Sequence, residues 1–189
     1  MLFCDLCTVK NCVKRIGEEA EYPKECPSCR EEIRGFVEEY GMDEETLKIA
    51  KASAVSSMDY TECRVQQTIR FARNCGYHKI GIAFCITLAE QARKFGLLLR
   101  KEGFEVESVI CKVGHHDRSC TGLEDARRKP MCNPLAQAEY LNRAGCELNV
   151  LIGLCVGHDS LFIKYSQAPV TVLAAKDHVY DNAPMEYFK

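Results

Sequence analysis

The chain has 189 residues, a formal net charge of −2 at neutral pH and an isoelectric point near 6.2. A chain of this length can bury a core of its own. Its net charge is too negative to attract nucleic acid or an anionic membrane over the whole surface, and no apolar run reaches the roughly 20 residues of a membrane helix. The 13 cysteines are odd in number and follow no secretory signal, so we expect a cytoplasmic protein whose reduced thiols serve metal binding or catalysis.

Residues 1–40 are predicted to form a small cysteine-rich segment with almost no hydrophobic core. Its thiols make two C-x2-C pairs and one further cysteine: Cys4, Cys7, Cys12, Cys26 and Cys29. Zinc takes four thiolates in a tetrahedron, and the same spacing suits an iron–sulfur cluster. We therefore expect bound zinc or an iron–sulfur cluster to supply the folding free energy of this segment, with Cys29 as the spare thiol. A disulfide-linked knot is the alternative, and the expected cytoplasmic location disfavours it because thiols stay reduced there.

Residues 41–189 are predicted to form a Rossmann-like α/β domain with helices flanking a parallel sheet. Two helical patterns come first, one from Asp43 and one that ends near Gly76. Four apolar runs then predict strands: IGIAFC from Ile80, FEVESVICKV from Phe104, LNVLIGLCV from Leu148 and PVTVLAA from Pro169. Because helical patterns alternate with these runs, we expect parallel pairing through right-handed crossovers.

Helix start signals follow the first three strands. Thr87 and Glu90 make a T-x-x-E capping box after the first, and Asn133 is the predicted N-cap of a helix whose first residue is a proline. Asp159 is the predicted cap after the third strand. A polar, basic insertion at residues 114–129 separates the second strand from its helix.

Three cysteines lie between the predicted strands and these helix starts. Cys85 and Cys155 end strands, and Cys132 directly precedes the Asn133 cap. Ligands of open α/β sheets bind outside the carboxyl ends of the strands, where helix N-termini stabilise thiolates and bridging sulfides. We therefore predict that these three thiols hold an iron–sulfur cluster with an open coordination position.

Other residues near these strand ends leave alternatives open. Cys111, in the second strand, is the candidate fourth ligand, and His158 or His115 are alternatives to it. Cys155 is also a candidate nucleophile with His158 as its base. Asp159 is a candidate catalytic acid or base, although its position favours a helix cap.

The remaining isolated residues have less specific interpretations. Cys63, Cys75 and Cys146 are predicted to be small core residues, because free cysteine is among the most buried residue types. Lys164 and Lys176 are either contacts for an anion or solvated side chains.

Three sequence blocks carry a family resemblance: IGIAFC, MCNPLAQAEYLN and GLCVGHDSLFIKYSQAPVTVLAAKD. With the leading C-x2-C-x4-C and the later Cys-Pro, they resemble the prokaryotic cysteine-rich metal-binding family catalogued as domain of unknown function 1847. The resemblance implies metal binding and supplies no reaction. It matches the leading motif to Cys4, Cys7, Cys12 and Cys26, and the later blocks to Cys85, Cys132 and Cys155. Cys29 departs from the pattern.

These observations favour a cytoplasmic metalloprotein acting in sulfur transfer, desulfuration or redox chemistry on a small-molecule substrate or sulfur donor. At the level of fold alone, the predicted arrangement of three cysteines on a Rossmann-like domain is similar to that in iron–sulfur thiouracil desulfidases. A non-catalytic zinc or iron–sulfur carrier or sensor is the second hypothesis, and an enzyme with Cys155 as nucleophile is the third. We expect no nucleic-acid or membrane partner, and nothing in the composition indicates an oligomeric state.

Overall fold

The structure, a computed structural model, describes residues 4–39, 41, 43–123 and 129–189. The chain divides into two compact units, Met1–Ala54 and Val55–Lys189. The helices are, in chain order, α1 Glu31–Glu39, α2 Glu44–Ser57, α3 Arg64–Asn74, α4 Ala89–Lys101, α5 Pro134–Arg143 and α6 His158–Tyr165. The strands are β1 Lys79–Phe84, β2 Glu105–Ile110, β3 Leu148–Ile152 and β4 Val170–Ala174.

The first unit contains short 3-10 turns, then α1 and the larger part of α2. The turns are Cys4–Leu6, Asn11–Val13 and Pro27–Cys29, and no residue in these three turns is buried. The predicted start of α2 is confirmed, since the Oδ2 atom of Asp43 accepts a hydrogen bond from the backbone N–H of Thr46 at 2.8 Å. The three turns therefore contribute no buried side chain to a core.

The second unit contains a four-stranded sheet in the order β2-β1-β3-β4, and every neighbouring pair is parallel. The predicted α/β class is therefore confirmed. Because β2 lies on one side of β1 and β3 on the other, the chain reverses its direction of winding between β1 and β3. The carboxyl ends of these two strands form a topological switch point, which is where open α/β sheets bind ligands.

Consecutive residues of β1 show that helices cover both faces of the sheet. Gly96 of α4 packs against Ile82, whereas Leu141 of α5 packs against Gly81. Consecutive strand residues point to opposite faces, so α4 and α5 lie on opposite sides. A Cβ atom on Gly81 would also collide with the side chain of Asn149, so glycine is required where β1, β3 and α5 pack together.

Apolar side chains from the strands and helices form the core of the second unit. Among those that are at most 1% exposed are Ile80, Ile82, Leu148, Val150, Leu151 and Phe162. Each buried side chain of this size contributes roughly 1.5–3 kcal/mol to folding relative to an exposed one. The core is therefore centred on β1 and β3, the two strands whose carboxyl ends form the switch point.

Three predicted strands are too long at their carboxyl ends. The apolar runs continue beyond Phe84, Ile110 and Ile152, where β1, β2 and β3 end. After β1 the backbone enters a 3-10 turn, and after β3 it turns at Gly153, whose φ is 66°. The cysteines in these runs therefore leave the sheet and lie at its edge.

Among the predicted helix starts, that of α5 is confirmed, and the one at Thr87 is wrong. The Oδ1 atom of Asn133 accepts the backbone N–H of Ala136 at 3.0 Å, as an N-cap does. Thr87 instead lies within the 3-10 turn Ile86–Leu88, and α4 begins after it without a side-chain cap. The hydroxyl of Thr87 is thereby available for contacts at the strand ends.

The predicted cap at Asp159 is also wrong. The N-cap of α6 is Gly157, with φ of 84°, and Asp159 lies in the first turn of the helix. Its Oδ1 atom accepts the backbone N–H of Ser160 at 2.7 Å. A glycine with left-handed backbone starts this helix because the chain turns sharply after Cys155.

The predicted basic insertion lies between β2 and α5. Its described part includes the 3-10 turn Arg118–Thr121, which Asp117 caps by accepting the backbone N–H of Ser119 at 2.7 Å. Residues 124–128 of the insertion lie outside the described residues. Within the described part of the chain, no helix combines the length and apolar character needed to cross a bilayer.

Candidate functional site

Four cysteines come together at the carboxyl edge of the sheet. Cys85, Cys111 and Cys155 follow β1, β2 and β3, and Cys132 precedes α5. Burial, with repulsion from the neighbouring Cys132 and Cys85 thiols, raises the pKa of Cys111 to about 12. Burial and the same two neighbours raise the pKa of Cys155. The structure thus brings together the three cysteines predicted as ligands and places Cys111 among them.

Backbone hydrogen bonds place these cysteines side by side. The N–H of Cys111 donates to the carbonyl of Phe84 at 2.9 Å, and the N–H of Cys85 donates to the carbonyl of Ile152 at 3.0 Å. The N–H of Asn133 donates to the carbonyl of Cys111 at 2.8 Å. The ends of β1, β2 and β3 and the start of α5 are therefore joined at one place.

The four thiols differ in depth. Cys111 is 2% exposed and Cys85 is 6% exposed, whereas Cys132 and Cys155 are half-buried. Cys111 is the most deeply buried of the four, and its Sγ atom accepts the backbone N–H of Ile86 at 3.4 Å. Cys132 and Cys155 consequently form the accessible side of the thiol cluster.

Cys85 has an environment that favours its thiolate. Its Sγ atom lies 3.3 Å from the Oγ1 atom of Thr87, and Lys176 donates a hydrogen bond to the same hydroxyl oxygen. Burial raises the pKa of Cys85, but the hydrogen bonds from Thr87 and the positive charge of Lys176 outweigh it and hold the pKa below its ordinary value. Cys85 is thus the thiol of this cluster with a lowered pKa.

Lys176 lies near Gly153 at this edge of the sheet. Gly153 has φ of 66°, and a Cβ atom there would collide with Leu88 and lie 3.7 Å from the Cδ atom of Lys176. The sequence left Lys176 undecided between an anion contact and a solvated side chain. Its position two residues after β4, at the same edge as the cysteines, is the signal that indicates a role in the site.

His158 lies beside the thiol cluster, and its backbone N–H donates to the carbonyl of Cys155 at 2.9 Å. It lines a cavity of about 280 Å³ together with Cys132, Met131 and Arg118. Burial and the positive charges of Lys112 and Arg118 lower the pKa of His158. In the described structure, no hydrogen bond joins its imidazole to the Cys155 thiol. His115, the alternative ligand, is exposed and lies on a loop, where its own φ is 50°.

The first unit has its own group of thiols. Cys4, Cys7 and Cys26 line a cavity of about 310 Å³, while the lining does not include Cys12 and Cys29, which are exposed. Backbone N–H groups of Lys10 and Val9 hydrogen-bond to Cys7 and lower its pKa. Such N–H donors to sulfur favour a thiolate, which is the form that binds metal.

Both groups of thiols suit a metal by their chemistry. Thiolates are soft ligands that select zinc and iron–sulfur clusters. Among the residues with described positions, no three or more His, Cys, Asp and Glu side chains surround a point that could hold a metal ion. The thiols are therefore of a type that binds these metals, but their side chains do not form a metal site as they are placed in the described structure.

The isolated cysteines divide into two groups. Cys75 and Cys146 are 4% and 8% exposed, which confirms their predicted place in the core, and burial raises the pKa of Cys146 to about 11. The same prediction is wrong for Cys63, which is exposed at the start of α3. Its backbone N–H donates to the Oε1 atom of Gln66 at 2.9 Å, so a helix start explains its position.

Comparison with known proteins assigns the chain to a family. A family model described as protein of unknown function DUF1847 matches residues 26–173. The chain belongs to this family. The match includes all four thiols at the sheet edge, whereas the first three cysteines of the N-terminal segment precede it.

This DUF1847 protein is also similar to an uncharacterized protein of Methanocaldococcus jannaschii, with 43% identity over 157 residues that cover 80% of each chain. No solved structure matches the DUF1847 chain. Neither the family description nor that of the relative states an activity, so the chemistry must be argued from the thiol site.

Proposed function

We propose that this DUF1847 protein carries an iron–sulfur cluster on Cys85, Cys132 and Cys155 and acts in sulfur transfer, desulfuration or redox chemistry. The observation that carries this proposal is the convergence of thiols from separate elements at the switch point of the sheet. A shared ligand gives that arrangement a purpose.

The surroundings of these three cysteines suit an anionic cluster. Cys132 precedes α5 and Cys155 precedes α6, so both lie near the N-terminal ends of helices, which carry partial positive charge. Lys176 and Thr87 favour the thiolate of Cys85. Each proposed ligand therefore has a nearby group that stabilises negative charge on sulfur.

A small substrate would bind at the accessible side of the thiol cluster, which Cys132 and Cys155 form. When bound with an open position, an iron–sulfur cluster supplies Lewis acidity toward a sulfur or oxygen atom. The cavity of about 280 Å³ next to Cys132 also contains Arg118, and the positive charges of Arg118 and Lys112 lower the pKa of His158. These cations favour an anionic substrate or sulfur donor.

The N-terminal thiols form the second proposed metal site, for zinc or an iron–sulfur cluster. Cys4, Cys7 and Cys26 share one cavity, and Cys12 or Cys29 completes a set of four. We place the protein in the reducing cytoplasm, where its 13 cysteines remain thiols.

The test is spectroscopic. Full-length protein reconstituted anaerobically with ferrous iron and sulfide should show visible charge-transfer absorption that Cys85→Ser, Cys132→Ser and Cys155→Ser each diminish. Cys146→Ser is the matched control, because this thiol is also buried but belongs to the core. Full retention of the absorption in all three ligand variants would contradict the proposal, as would a colourless protein that binds only zinc.

A non-catalytic carrier is the second candidate, and the position of Cys111 favours it. The Cys111 thiol interacts with both Cys85 and Cys132, as a fourth ligand would. The two functions predict different results for Cys111→Ser. Retained absorption indicates three cysteines with an open position, whereas a loss equal to that of Cys85→Ser indicates closed ligation and a carrier.

A further inference from the structure

We propose that Cys85 and Cys111 are a dithiol–disulfide pair, in which Cys85, the less deeply buried of the two, reacts first with an oxidant and Cys111, whose sulfur accepts the backbone N–H of Ile86, resolves the product. The proposal concerns the metal-free protein and does not depend on which metal the thiols bind. It assigns to Cys111 a role that differs from that of a ligand.

The register of two neighbouring strands places the pair. The last paired residues of β1 and β2 are Phe84 and Ile110, so the next residues, Cys85 and Cys111, come opposite each other. The N–H of Cys111 still donates to the carbonyl of Phe84 at 2.9 Å, as it would inside a parallel ladder. The two cysteines therefore extend the ladder by one position.

Beyond that position the backbone ladder stops, and sulfur takes the place of a carbonyl. In a continued parallel ladder, the N–H of Ile86 would donate to the carbonyl of Cys111. That carbonyl accepts the N–H of Asn133 instead, at 2.8 Å, and the N–H of Ile86 donates to the Sγ atom of Cys111 at 3.4 Å. The Cys111 sulfur is thereby directed toward the β1 side, on which Cys85 lies.

The backbone spacing suits a disulfide. Neighbouring strands lie about 4.8 Å apart, and disulfides join Cα atoms that are roughly 4.4–6.8 Å apart. Opposed residues of a parallel pair also direct their side chains to the same face. Closure of the bond then requires rotation of side chains and no displacement of either strand.

The oxidant that fits this buried pair is a small hydroperoxide. The Cys85 sulfur attacks one peroxide oxygen, the O–O bond breaks, and the departing hydroxide takes the Cys85 proton to form water. Cys85 is now a sulfenic acid. The Cys111 sulfur attacks the Cys85 sulfur, the S–O bond breaks, and the second hydroxide leaves with the Cys111 proton as water. Two thiols are oxidised by two electrons, and one peroxide is reduced.

Hydrogen peroxide and peptide mass spectrometry test the proposal on the full chain. Reduced protein stripped of metal by a chelator is treated with one equivalent of peroxide, its free thiols are alkylated, and it is digested with trypsin. Cys85 lies in peptide 80–93 and Cys111 in peptide 102–112, each of which contains a single cysteine. We expect both peptides to lose their alkylated forms equally and to appear as one linked pair.

Two variants separate the roles of the thiols. In Cys111→Ser, Cys85 should stop at the sulfenic acid, which dimedone traps, whereas in Cys146→Ser the linked pair should form as in the wild type. Absence of the linked pair in wild-type protein would overturn the proposal. So would predominant linkage of Cys85 to Cys132 or Cys155.

Metal content measured before the chelator step keeps the two proposals apart. If the linked pair forms in a protein that never binds metal, the cluster proposal fails and the dithiol proposal stands. If metal binds at the sheet edge and the stripped protein gives no linked pair, the dithiol proposal fails and the cluster proposal stands.

Discussion

Cys85 and Cys155 both follow parallel strands, as the first residue after β1 and the third after β3, yet their pKa values shift in opposite directions. Burial raises the pKa of both thiols. At Cys85 the hydrogen bonds from Thr87 and the charge of Lys176 reverse this effect, whereas at Cys155 the neighbouring thiols reinforce it. The reactive thiol of the metal-free site is therefore expected to be Cys85, although the sequence indicated Cys155.

Replacement of Lys176 tests this account of Cys85. In metal-free Lys176→Met, the loss of a positive charge should raise the pKa of Cys85, so its alkylation by iodoacetamide should slow at a given pH and its pH profile should move to higher pH. The measurement is the rate of loss of unmodified peptide 80–93 across a pH series. Lys164→Met, which removes an exposed lysine from α6, is the control. An unchanged profile in Lys176→Met would contradict the account.

At the residue scale, the sequence predicts which cysteines meet but not how they differ. Cys85, Cys132 and Cys155 are recognisable because strand and helix signals flank them. The contact between Lys176 and Thr87 joins positions that are distant in sequence. No local pattern reports such a contact.

The helices and strands follow from hydrophobic periodicity, and the errors concern where they begin and end. The T-x-x-E pattern at Thr87 matches a capping box, but an extra 3-10 turn delays the start of α4. Cysteine is apolar and continues a strand pattern as well as leucine does. The apolar runs therefore continue through the cysteines and do not show where the backbone leaves the sheet. The start of α5 is predicted well, because Asn133 and the proline after it are a local signal that the structure uses as a cap.

Packing between elements makes Gly81 sensitive to substitution. In Gly81→Ala, the new methyl group would meet Asn149, which is fully buried and bonded through its Nδ2 atom to Ser166 at 2.8 Å. We expect the free energy of unfolding of the second unit to fall by about 1–3 kcal/mol, as for other overpacked cores. Urea denaturation measures this change.

Gly35→Ala is the matched control for that experiment. Gly35 lies in α1 with no other atoms near the position of a Cβ atom, so alanine there should not lower stability. If Gly81→Ala is as stable as the wild type, β1 and β3 do not pack as described.

At the scale of the whole molecule, two compact units present two groups of thiols with different means of support. The second unit has a buried core beneath its cysteines. In the first unit, no residue of the three 3-10 turns is buried. The sequence predicts this contrast correctly, since apolar residues are scarce before α2. The metal itself is a proposal, because thiol spacing suits zinc and iron–sulfur clusters alike.

Removal of two N-terminal thiols tests whether metal orders the first unit. In Cys4→Ser combined with Cys7→Ser, the N-terminal segment should become susceptible to limited proteolysis while a fragment containing residues 55–189 remains resistant. Cys63→Ser, which changes an exposed thiol outside this segment, should leave the cleavage pattern unchanged. Undiminished protection of the double variant in a metal-free state would show that metal does not order the segment.

The metal content of the intact chain tests the central claim most directly. Iron, zinc and acid-labile sulfide are measured per chain after anaerobic purification, in the wild type and in a variant that combines Cys85→Ser, Cys132→Ser and Cys155→Ser. We predict that the wild type contains iron and sulfide at the sheet edge and that the variant loses this share while it keeps the metal of its N-terminal thiols. Equal iron and sulfide contents in the two proteins, or zinc as the only metal in the wild type, would contradict an iron–sulfur cluster on these three cysteines.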